Sequence, residues 1–276
     1  DTEDIVDRTI GRYLQENTVS KKNLKDHFIF QQNEVPREIV SKILNRSINK
    51  IIITGMGTCY TASVAISMYM RKILRKFRQD INVEPHIASE GSAFYLSNNM
   101  RDTLVIVIAQ SGTTIDTNVY VQMAKDRGAS SLAIANKREG DVTFIVDGTL
   151  YIGDGRDIEI AVPSTKTYTA QVILGYLLAL YLASNLKLKK SEKLFLFEEI
   201  KKISFARELV KKSLLELGDY KKYEKISLKS REYNSWYLLQ DESYSSVCVG
   251  EIRIKFSENC YQSVPYLNVW DALNYN

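Results

Sequence analysis

The sequence predicts an α/β fold in which a parallel β-sheet is flanked by helices. Short apolar runs alternate with longer segments of helical periodicity, an order that is typical of such sheets. The run T-L-V-I-V-I-A at 103–109 carries no charged side chain, as expected for a strand that is buried on both faces. The two clearest strands are each followed at once by a turn that contains glycine and hydroxyl side chains.

Six strands are predicted between residues 46 and 185. They lie near 50–54, 83–88, 103–109, 131–135, 143–146 and 149–152. Helices are expected from about 60 to 77 and from about 167 to 183. Ligands of open α/β sheets bind beyond the carboxyl ends of the strands, so the turns at those ends are the candidate site.

The turn Q-S-G-T-T at 110–114 follows the most apolar strand. Ser111 is predicted to be the N-cap of a helix that starts near Thr114. Hydroxyl groups and backbone N–H groups at a helix N-terminus bind anions, and phosphate in particular. An ordinary serine-capped turn has the same sequence, so this segment alone leaves both interpretations open.

Two further segments have a similar design. The run G-M-G-T-C-Y at 55–60 differs from the dinucleotide-binding fingerprint because Tyr60 occupies the third glycine position. The run I-A-V-P-S-T-K at 160–166 leads into an apolar helix, and Ser164 and Thr165 are expected to cap it. Three hydroxyl-rich helix starts together favour a pocket for a phosphorylated, polyhydroxylated ligand.

Four blocks resemble the isomerase region of the glutamine:fructose-6-phosphate aminotransferase family, which is built from two SIS (sugar isomerase) domains. Residues 55–60 resemble the family's G-C-G-T-S-Y, and 109–117 (A-Q-S-G-T-T-I-D-T) resemble its S-Q-S-G-E-T-x-D-T. Residues 159–171 (E-I-A-V-P-S-T-K-T-Y-T-A-Q) resemble its E-I-G-V-A-S-T-K-A-F-T-x-Q, and 27–37 resemble its H-F/Y-M-x-K-E-I-x-E-Q-P entry. The resemblance covers about residues 20–185 and implies a flavodoxin-like SIS fold.

The resemblance implies that these turns bind a hexose phosphate, either fructose 6-phosphate or glucose 6-phosphate. The first two turns would bind the phosphate, and the third would bind sugar hydroxyls. No cofactor and no metal is implied, since enolisation needs only a positioned carboxylate and a polarised carbonyl. The residues expected to bind substrate are Thr58, Cys59, Gln110, Ser111, Thr114, Val162, Ser164 and Thr165.

A weaker block follows in the second half of the chain. E-I-R-I-K-F-S-E-N-C-Y at 251–261 is similar to the family's E-G-A-L-K-L-K-E-I-S-Y. The spacing places Glu251, Lys255 and Glu258 on one helix face. Spacing alone favours a solvated Glu–Lys–Glu ladder. The family register instead implies that Glu258 is the base that moves a proton between C1 and C2 of the sugar, with Lys255 and Glu251 supporting it.

The sequence departs from the family pattern in several places. Ala109 replaces the first serine of S-Q-S, and D-E-S at 241–243 stands where the second domain has a glycine-rich turn. The family's histidine-bearing loop and its lysine-bearing tail are missing after Tyr266, and the chain begins without the family's glutaminase cysteine. We therefore expect either a fragment of a longer polypeptide or a shortened relative.

The predicted organisation has four segments. A helical arm at 1–45 precedes a first SIS domain at 46–190, and a helical connector at 191–233 leads to the start of a second SIS domain at 234–276. A strand at 235–239 would open that second domain. So short a start leaves strand edges open, which further residues or a partner chain would cover.

Composition narrows the partners of this chain only slightly. A net charge of +4 over 276 residues does not indicate nucleic-acid binding. Three cysteines without metal-ligand spacing favour a reduced, cytoplasmic setting. The most apolar window, 172–183, is shorter than the roughly 20 residues of a membrane span. Because SIS domains generally pair, a homodimer is expected by analogy.

Two functional hypotheses from different classes follow. The first is the isomerase region of an aminotransferase-like enzyme, which interconverts ketose and aldose hexose phosphates towards glucosamine 6-phosphate. The second is a non-catalytic, phosphosugar-binding regulatory module. The missing loop histidine and tail lysine favour the second, whereas the retained Glu251–Lys255–Glu258 face favours the first. A stand-alone isomerase or deaminase of a related amino sugar phosphate is a third reading.

Overall fold

The computed structural model describes residues 1–15, 23–159, 163–218, 220–233, 235–241 and 245–275. It divides into two compact units, Asp1–Ser204 and Phe205–Asn276, and each is described by itself. The elements of the first unit, in chain order, are α1 (Thr2–Tyr13), a 3-10 helix (Leu24–His27), α2 (Arg37–Leu44), β1 (Lys50–Gly55), α3 (Thr58–Phe77), β2 (Asn82–Ile87), α4 (Ala88–Phe94), β3 (Thr103–Ala109), α5 (Ile115–Asp126), β4 (Ser130–Ala135), α6 (Val142–Ile145), β5 (Gly148–Tyr151), α7 (Lys166–Ser184) and α8 (Lys190–Ser204).

The first unit contains a parallel sheet of five strands in the order β2-β1-β3-β4-β5. The predicted α/β fold with a parallel sheet is therefore confirmed. Strand β2 lies on one side of β1. Strand β3 lies on the other side of β1, and β4 and β5 follow outward from β3. Because the order reverses between β1 and β3, a crevice forms at the carboxyl ends of these two strands.

The central strands are buried on both faces, which explains their apolar, β-branched sequences. Every residue of β3 and β4 is buried. Alternate residues of a strand point to opposite faces. One face of the sheet, represented by Ile52, Val105 and Ala133, belongs to a core cluster that includes Tyr120 and Val121 of α5. Right-handed crossovers place α3 against the opposite face, because the chain leaves β1 and β3 in opposite directions.

Helices α3 and α7 pack closely against each other. A Cβ atom on Gly175 of α7 would lie 2.5 Å from Cγ1 of Ile66 in α3, so glycine permits this approach. Helix α7 extends beyond the apolar window of the sequence: its 19 residues are long and apolar enough to cross a membrane, but 61% of its most apolar window is buried inside the protein. Packing against α1 and α3 accounts for this apolar composition.

The N-terminal helix α1 contributes to the core of the first unit. Ile5 and Ile10 are fully buried, and α1 packs against α7. The Tyr13 hydroxyl donates to the Tyr151 carbonyl oxygen at 3.0 Å and accepts from the Tyr151 backbone N–H at 2.7 Å. These contacts join α1 to the end of edge strand β5.

The other edge strand, β2, carries a buried polar cluster. His86 Nδ1 lies 2.7 Å from the Tyr120 hydroxyl, and His86 Nε2 lies 3.7 Å from Glu84 Oε2. Glu84 is also paired with Lys50 at 2.5 Å. Burial lowers the pKa of His86 below its ordinary value and raises the pKa of Tyr120. The cluster joins β2 to α5 through the contact between His86 and Tyr120.

The strand predicted at 143–146 is wrong. Val142–Ile145 forms the short helix α6, and β5 alone follows it at the sheet edge. The Val142 N–H donates to the Gly112 carbonyl oxygen at 3.0 Å, and the Val146 N–H donates to the Val142 carbonyl oxygen at 3.2 Å. The apolar side chain of Val142 is buried in the core rather than in a strand ladder.

The second unit contains two parallel strands and several helices. Its elements are α9 (Ala206–Leu217), α10 (Tyr220–Ser230), β6 (Leu238–Gln240), α11 (Ser245–Cys260), β7 (Tyr266–Asn268) and α12 (Val269–Tyr275). Leu239 of β6 pairs with Leu267 of β7. Helix α11 packs against β6. The strand expected at 235–239 is thus shorter and begins later than predicted.

Candidate functional site

The turn between β1 and α3 depends on two glycines. Gly57 has a φ of 54°, in the left-handed region that favours glycine. A Cβ atom on Gly55 would lie 2.7 Å from the backbone carbon of Cys59. Thr58 is the first residue of α3 and is buried. The sequence therefore directs the positive end of a 20-residue helix to the carboxyl edge of the sheet.

The turn after β3 is organised by its own hydroxyl groups. Ser111 Oγ lies 3.0 Å from Thr113 Oγ1, and the Thr113 N–H donates to Ser111 Oγ at 3.3 Å. Helix α5 begins at Ile115 with Thr114 at the N-cap position. The N-cap role predicted for Ser111 is therefore wrong, because its hydroxyl closes the turn ahead of the helix. Ser111 is half-buried, and Thr113 and Thr114 are exposed.

The loop after β4 packs directly on this turn through backbone contacts. Gly112 has a φ of 75°, and a Cβ atom on it would lie 2.8 Å from the Cα of Gly140. A Cβ atom on Gly140 would lie 2.6 Å from the Ser111 carbonyl oxygen. The sequence places glycine at both positions, so residues 136–140 lie next to the hydroxyls of the turn.

The third helix start is capped by a carboxylate. Glu159 Oε1 accepts hydrogen bonds from the Thr165 N–H at 3.0 Å, the Thr167 N–H at 3.1 Å and Thr167 Oγ1 at 2.9 Å. Ser164 Oγ is hydrogen-bonded to Thr167 Oγ1. The N-cap position predicted for Thr165 is confirmed, but its side chain makes no cap bond, and the Ser164 hydroxyl contacts Thr167 Oγ1 instead of a helix N–H. A carboxylate also complements the positive end of the helix.

Of the predicted site residues, Val162 lies outside the described residues. Ser164 is buried, whereas Thr165 is exposed at the start of α7. Their proposed contacts with sugar hydroxyls stay predictions.

Gln171 of α7 joins the first two turns at the point where the strand order reverses. Its side chain is fully buried. Nε2 donates to the Ala109 carbonyl oxygen at 3.4 Å and lies 3.8 Å from Cys59 Sγ. Oε1 has no hydrogen-bond partner among the described residues. An unsatisfied buried acceptor costs ~1–3 kcal/mol, and a bound ligand or water would supply the missing donor.

A cleft of 580 Å³ opens beyond the carboxyl ends of β3, β4 and β5. Small-molecule sites commonly have volumes of about 300–1,000 Å³. Among the described residues, the predicted substrate-binding residues in its wall are Gln110 and Ser111. Glu159 extends the wall to the start of α7. The remaining lining residues are Asn136, Lys137, Arg138, Glu139, Gly155, Arg156, Asp157 and Ile158.

Helix α1 fixes the outer wall of this cleft. Arg8 pairs with Asp157 at 2.5 Å and with Asp154 at 2.8 Å. The hydrogen bonds that the Arg8 guanidinium donates to Asp157, Asp4 and Asp154 raise the pKa of Arg8, so the guanidinium is charged at all ordinary pH values. The Gly153 N–H donates to Thr9 Oγ1 at 2.8 Å. The loop that carries Asp157 is therefore attached to the core.

Helix α11 of the second unit carries one connected face formed by Glu251, Lys255 and Glu258. Lys255 Nζ lies 3.1 Å from Glu251 Oε1 and 2.9 Å from Glu258 Oε2. The exposed fractions of the Glu251, Lys255 and Glu258 side chains are 13%, 20% and 26%. The three side chains are therefore partly buried, unlike those of a ladder in full contact with solvent. The arrangement on one face agrees with the spacing, and a catalytic role for these residues stays a prediction.

Three residues of the site were missed by the sequence reasoning. Glu159 and Gln171 are the first and last residues of the third motif, 159–171. Their place in that motif was the signal that could have identified them as site residues. Asn136 directly follows buried strand β4, so its place at the carboxyl edge was the signal there. Their contacts depend on tertiary packing, which no single motif reveals.

Comparison with known proteins supports the family resemblance of these motifs. The SIS domain family matches residues 45–181. The chain is 34% identical over 212 residues to the glutamine–fructose-6-phosphate aminotransferase (isomerizing) of Fusobacterium nucleatum, an alignment that covers 69% of this chain and 33% of that protein. It is 34% identical over 236 residues to the enzyme of the same name from Clostridium tetani, with 78% and 36% covered. The chain thus spans about a third of the length of these curated relatives.

A solved structure supports the fold. The C-terminal domain of glucosamine-fructose-6-phosphate aminotransferase from Francisella tularensis superposes with a TM-score of 0.76 at 19% identity. The match covers 99% of this chain and 68% of that one. At this level of identity, the likeness shows a shared fold.

Replacing Glu159 tests its capping role. We expect Glu159→Ala to lower the free energy of unfolding by ~1 kcal/mol, because it removes the acceptor for the first N–H groups of α7. Glu159→Gln should recover part of the loss, since it keeps an acceptor oxygen without the charge. The measurement is urea denaturation. Glu139→Ala, which removes an exposed glutamate from the same cleft, is the matched control and should leave stability unchanged; equal losses in both variants would contradict the assignment.

Proposed function

Because the chain belongs to the SIS domain family, we propose that it is the phosphosugar-binding isomerase region of an aminotransferase-like protein. The observation that carries this proposal is the meeting of hydroxyl-bearing helix starts at the reversal of strand order. There, Gln171 contacts both the end of β3 and the start of α3. Helix N-termini at such a crevice suit an anionic ligand.

In this proposal, the turn after β3 binds the phosphate. The hydroxyls of Ser111 and Thr114, together with the Gln110 side chain, are the proposed donors, and Thr58 and Cys59 contribute from the neighbouring helix start. The exposure of Thr114 and the half-buried position of Ser111 leave these groups accessible to a ligand. The dipoles of α3 and α5 favour the phosphate charge.

The third helix start is proposed to bind the sugar. Ser164 and Thr165 are the proposed partners of sugar hydroxyls, together with the backbone of Val162. Glu159 already accepts hydrogen bonds from the Thr165 N–H, the Thr167 N–H and Thr167 Oγ1, so the sugar would contact the Ser164 and Thr165 hydroxyls rather than these donors. Fructose 6-phosphate and glucose 6-phosphate are the proposed ligands.

Glu258 is the proposed base of the isomerisation. It would remove a proton from C1 of the ketose and return it to C2, while a hydroxyl proton moves between the two oxygens. Its hydrogen bond with Lys255 orients the carboxylate, and Glu251 orients Lys255 in turn. This reaction uses general acid–base chemistry alone. A cytoplasmic setting and a homodimer complete the proposal.

A second candidate is a phosphosugar-binding regulatory module without catalysis. The sequence contains two histidines, and both are buried in the first unit: His27 is 5% exposed and His86 is 8% exposed. His86 is engaged by Tyr120. Both imidazoles are thus shielded by the protein, which supports a module that binds a sugar phosphate without converting it.

The phosphate assignment predicts a loss of affinity when hydroxyls are removed from the turn. Ser111→Ala with Thr114→Ala should weaken binding of fructose 6-phosphate at least about tenfold, since hydrogen bonds to charged groups contribute ~1.5–3 kcal/mol each. Isothermal titration calorimetry provides the measurement. The control is Ser47→Ala with Ser97→Ala, which removes two hydroxyls at exposed positions ahead of β1 and β3. Unchanged affinity in the first double variant would remove the assignment.

The enzyme and the module are separated by Glu258→Gln. We expect this variant to slow hydrogen exchange at C1 of fructose 6-phosphate at least about 100-fold, because a general base typically contributes that much. Sugar-phosphate affinity should stay unchanged. Exchange is measured by proton NMR in heavy water. Glu224→Gln, on exposed α10 of the same unit, is the control. A wild-type chain that binds the sugar but catalyses no exchange would favour the regulatory module.

A further inference from the structure

Three cationic side chains lie in the wall of the 580 Å³ cleft, close to the turn that carries Ser111. Lys137 and Arg138 follow β4, and Arg156 lies on the loop that follows β5. All three are exposed. In the part of the chain that the structure describes, Lys137 and Arg156 form no ion pair.

Two of the three carboxylates in the same wall are held by groups other than these cations. Asp157 is paired with Arg8 of α1 at 2.5 Å. Glu159 accepts three hydrogen bonds from the start of α7. Glu139 is exposed and is the remaining carboxylate among the described lining residues. Three cations therefore share this wall with two carboxylates, Glu139 and Glu159, that form no ion pair among the described residues.

One of the three cations, Arg138, is held in place by contacts with neighbouring groups. The Arg138 N–H donates to the Gly155 carbonyl oxygen at 3.1 Å, and Arg138 Nε donates to the Asp154 carbonyl oxygen at 2.8 Å. The Arg138 guanidinium also lies over the Tyr151 ring, 4.9 Å from its centroid. Fixed cations lose less conformational entropy on binding an anion than free surface side chains do.

A buried amide in the same wall points independently to a ligand. Asn136 is 2% exposed, and its Nδ2 donates to the Asp157 carbonyl oxygen at 2.6 Å. Its Oδ1 has no hydrogen-bond partner within the described residues. A ligand hydroxyl would supply the missing donor. A buried acceptor beside three cations suits a ligand that carries both hydroxyl and anionic groups.

We propose that this cleft binds a sugar phosphate that carries a second anionic group, a phosphate or a carboxylate, at the end of the sugar remote from the first phosphate. Lys137, Arg138 and Arg156 bind the second anion, while Asn136 accepts a hydrogen bond from a sugar hydroxyl. The proposal rests on the proposed function, because it takes the Ser111 turn as the first phosphate site. It extends that function by naming the class of ligand that the site prefers.

The test compares four probes on the full chain by isothermal titration calorimetry: inorganic phosphate, fructose 6-phosphate, fructose 1,6-bisphosphate and 6-phosphogluconate. We expect at least one doubly anionic sugar to bind at least about tenfold more tightly than fructose 6-phosphate, since hydrogen bonds to charged groups are worth that factor. In the double variant Lys137→Gln with Arg156→Gln, the affinity for the doubly anionic sugar should fall to near that for fructose 6-phosphate. The probe that gains identifies the second anion as phosphate or carboxylate.

Arg75→Gln with Lys190→Gln is the control, because it removes the same two charges at exposed positions of α3 and α8 outside the cleft. This variant should keep the preference; equal loss in both double variants would overturn the assignment to the cleft. If wild type binds fructose 6-phosphate and shows no preference for either doubly anionic sugar, the inference fails and the proposed function stands. If no sugar phosphate binds, both fail together.

Discussion

The reversal of strand order between β1 and β3 is the constraint on which the rest of this structure depends. The chain leaves these two neighbouring strands in opposite directions. The turns at their carboxyl ends therefore diverge, and a crevice opens between them. The starts of α3 and α5 therefore flank the same edge. Gln171, fully buried in α7, fills the space between them and contacts the backbone end of β3. The strand order therefore determines the position of the site.

Close backbone packing forms a separate cleft on the other side of the turn that follows β3. Gly112 and Gly140 approach so closely that a methyl group on either would collide with the other's backbone. This contact holds the loop after β4 beside the phosphate turn. On the far side, Arg8 of α1 holds the loop after β5 through Asp154 and Asp157. An N-terminal helix that is distant in sequence thereby supports the wall of the cleft.

The sequence predicted the parallel sheet and the three turns because buried β-branched runs and glycine–hydroxyl turns are local signals. Capping was predicted less well: Thr114 rather than Ser111 is the N-cap of α5, and at the start of α7 the N-cap is Thr165 as expected, but the acceptor for the helix N–H groups is Glu159. The strand expected at 143–146 failed because a short apolar run also fits a buried helical turn. The unsatisfied oxygens of Gln171 and Asn136 are properties of tertiary packing, and no pattern of residues reveals them.

A thermal-shift titration tests the central claim, that these helix starts form a sugar-phosphate site. The chain would be titrated with fructose 6-phosphate, glucose 6-phosphate and inorganic phosphate. A ligand at about 100 times its dissociation constant adds ~2.7 kcal/mol to the free energy of unfolding. We expect a clear rise in the thermal midpoint with a hexose phosphate, larger than the rise with inorganic phosphate. No shift with any of the three would contradict it.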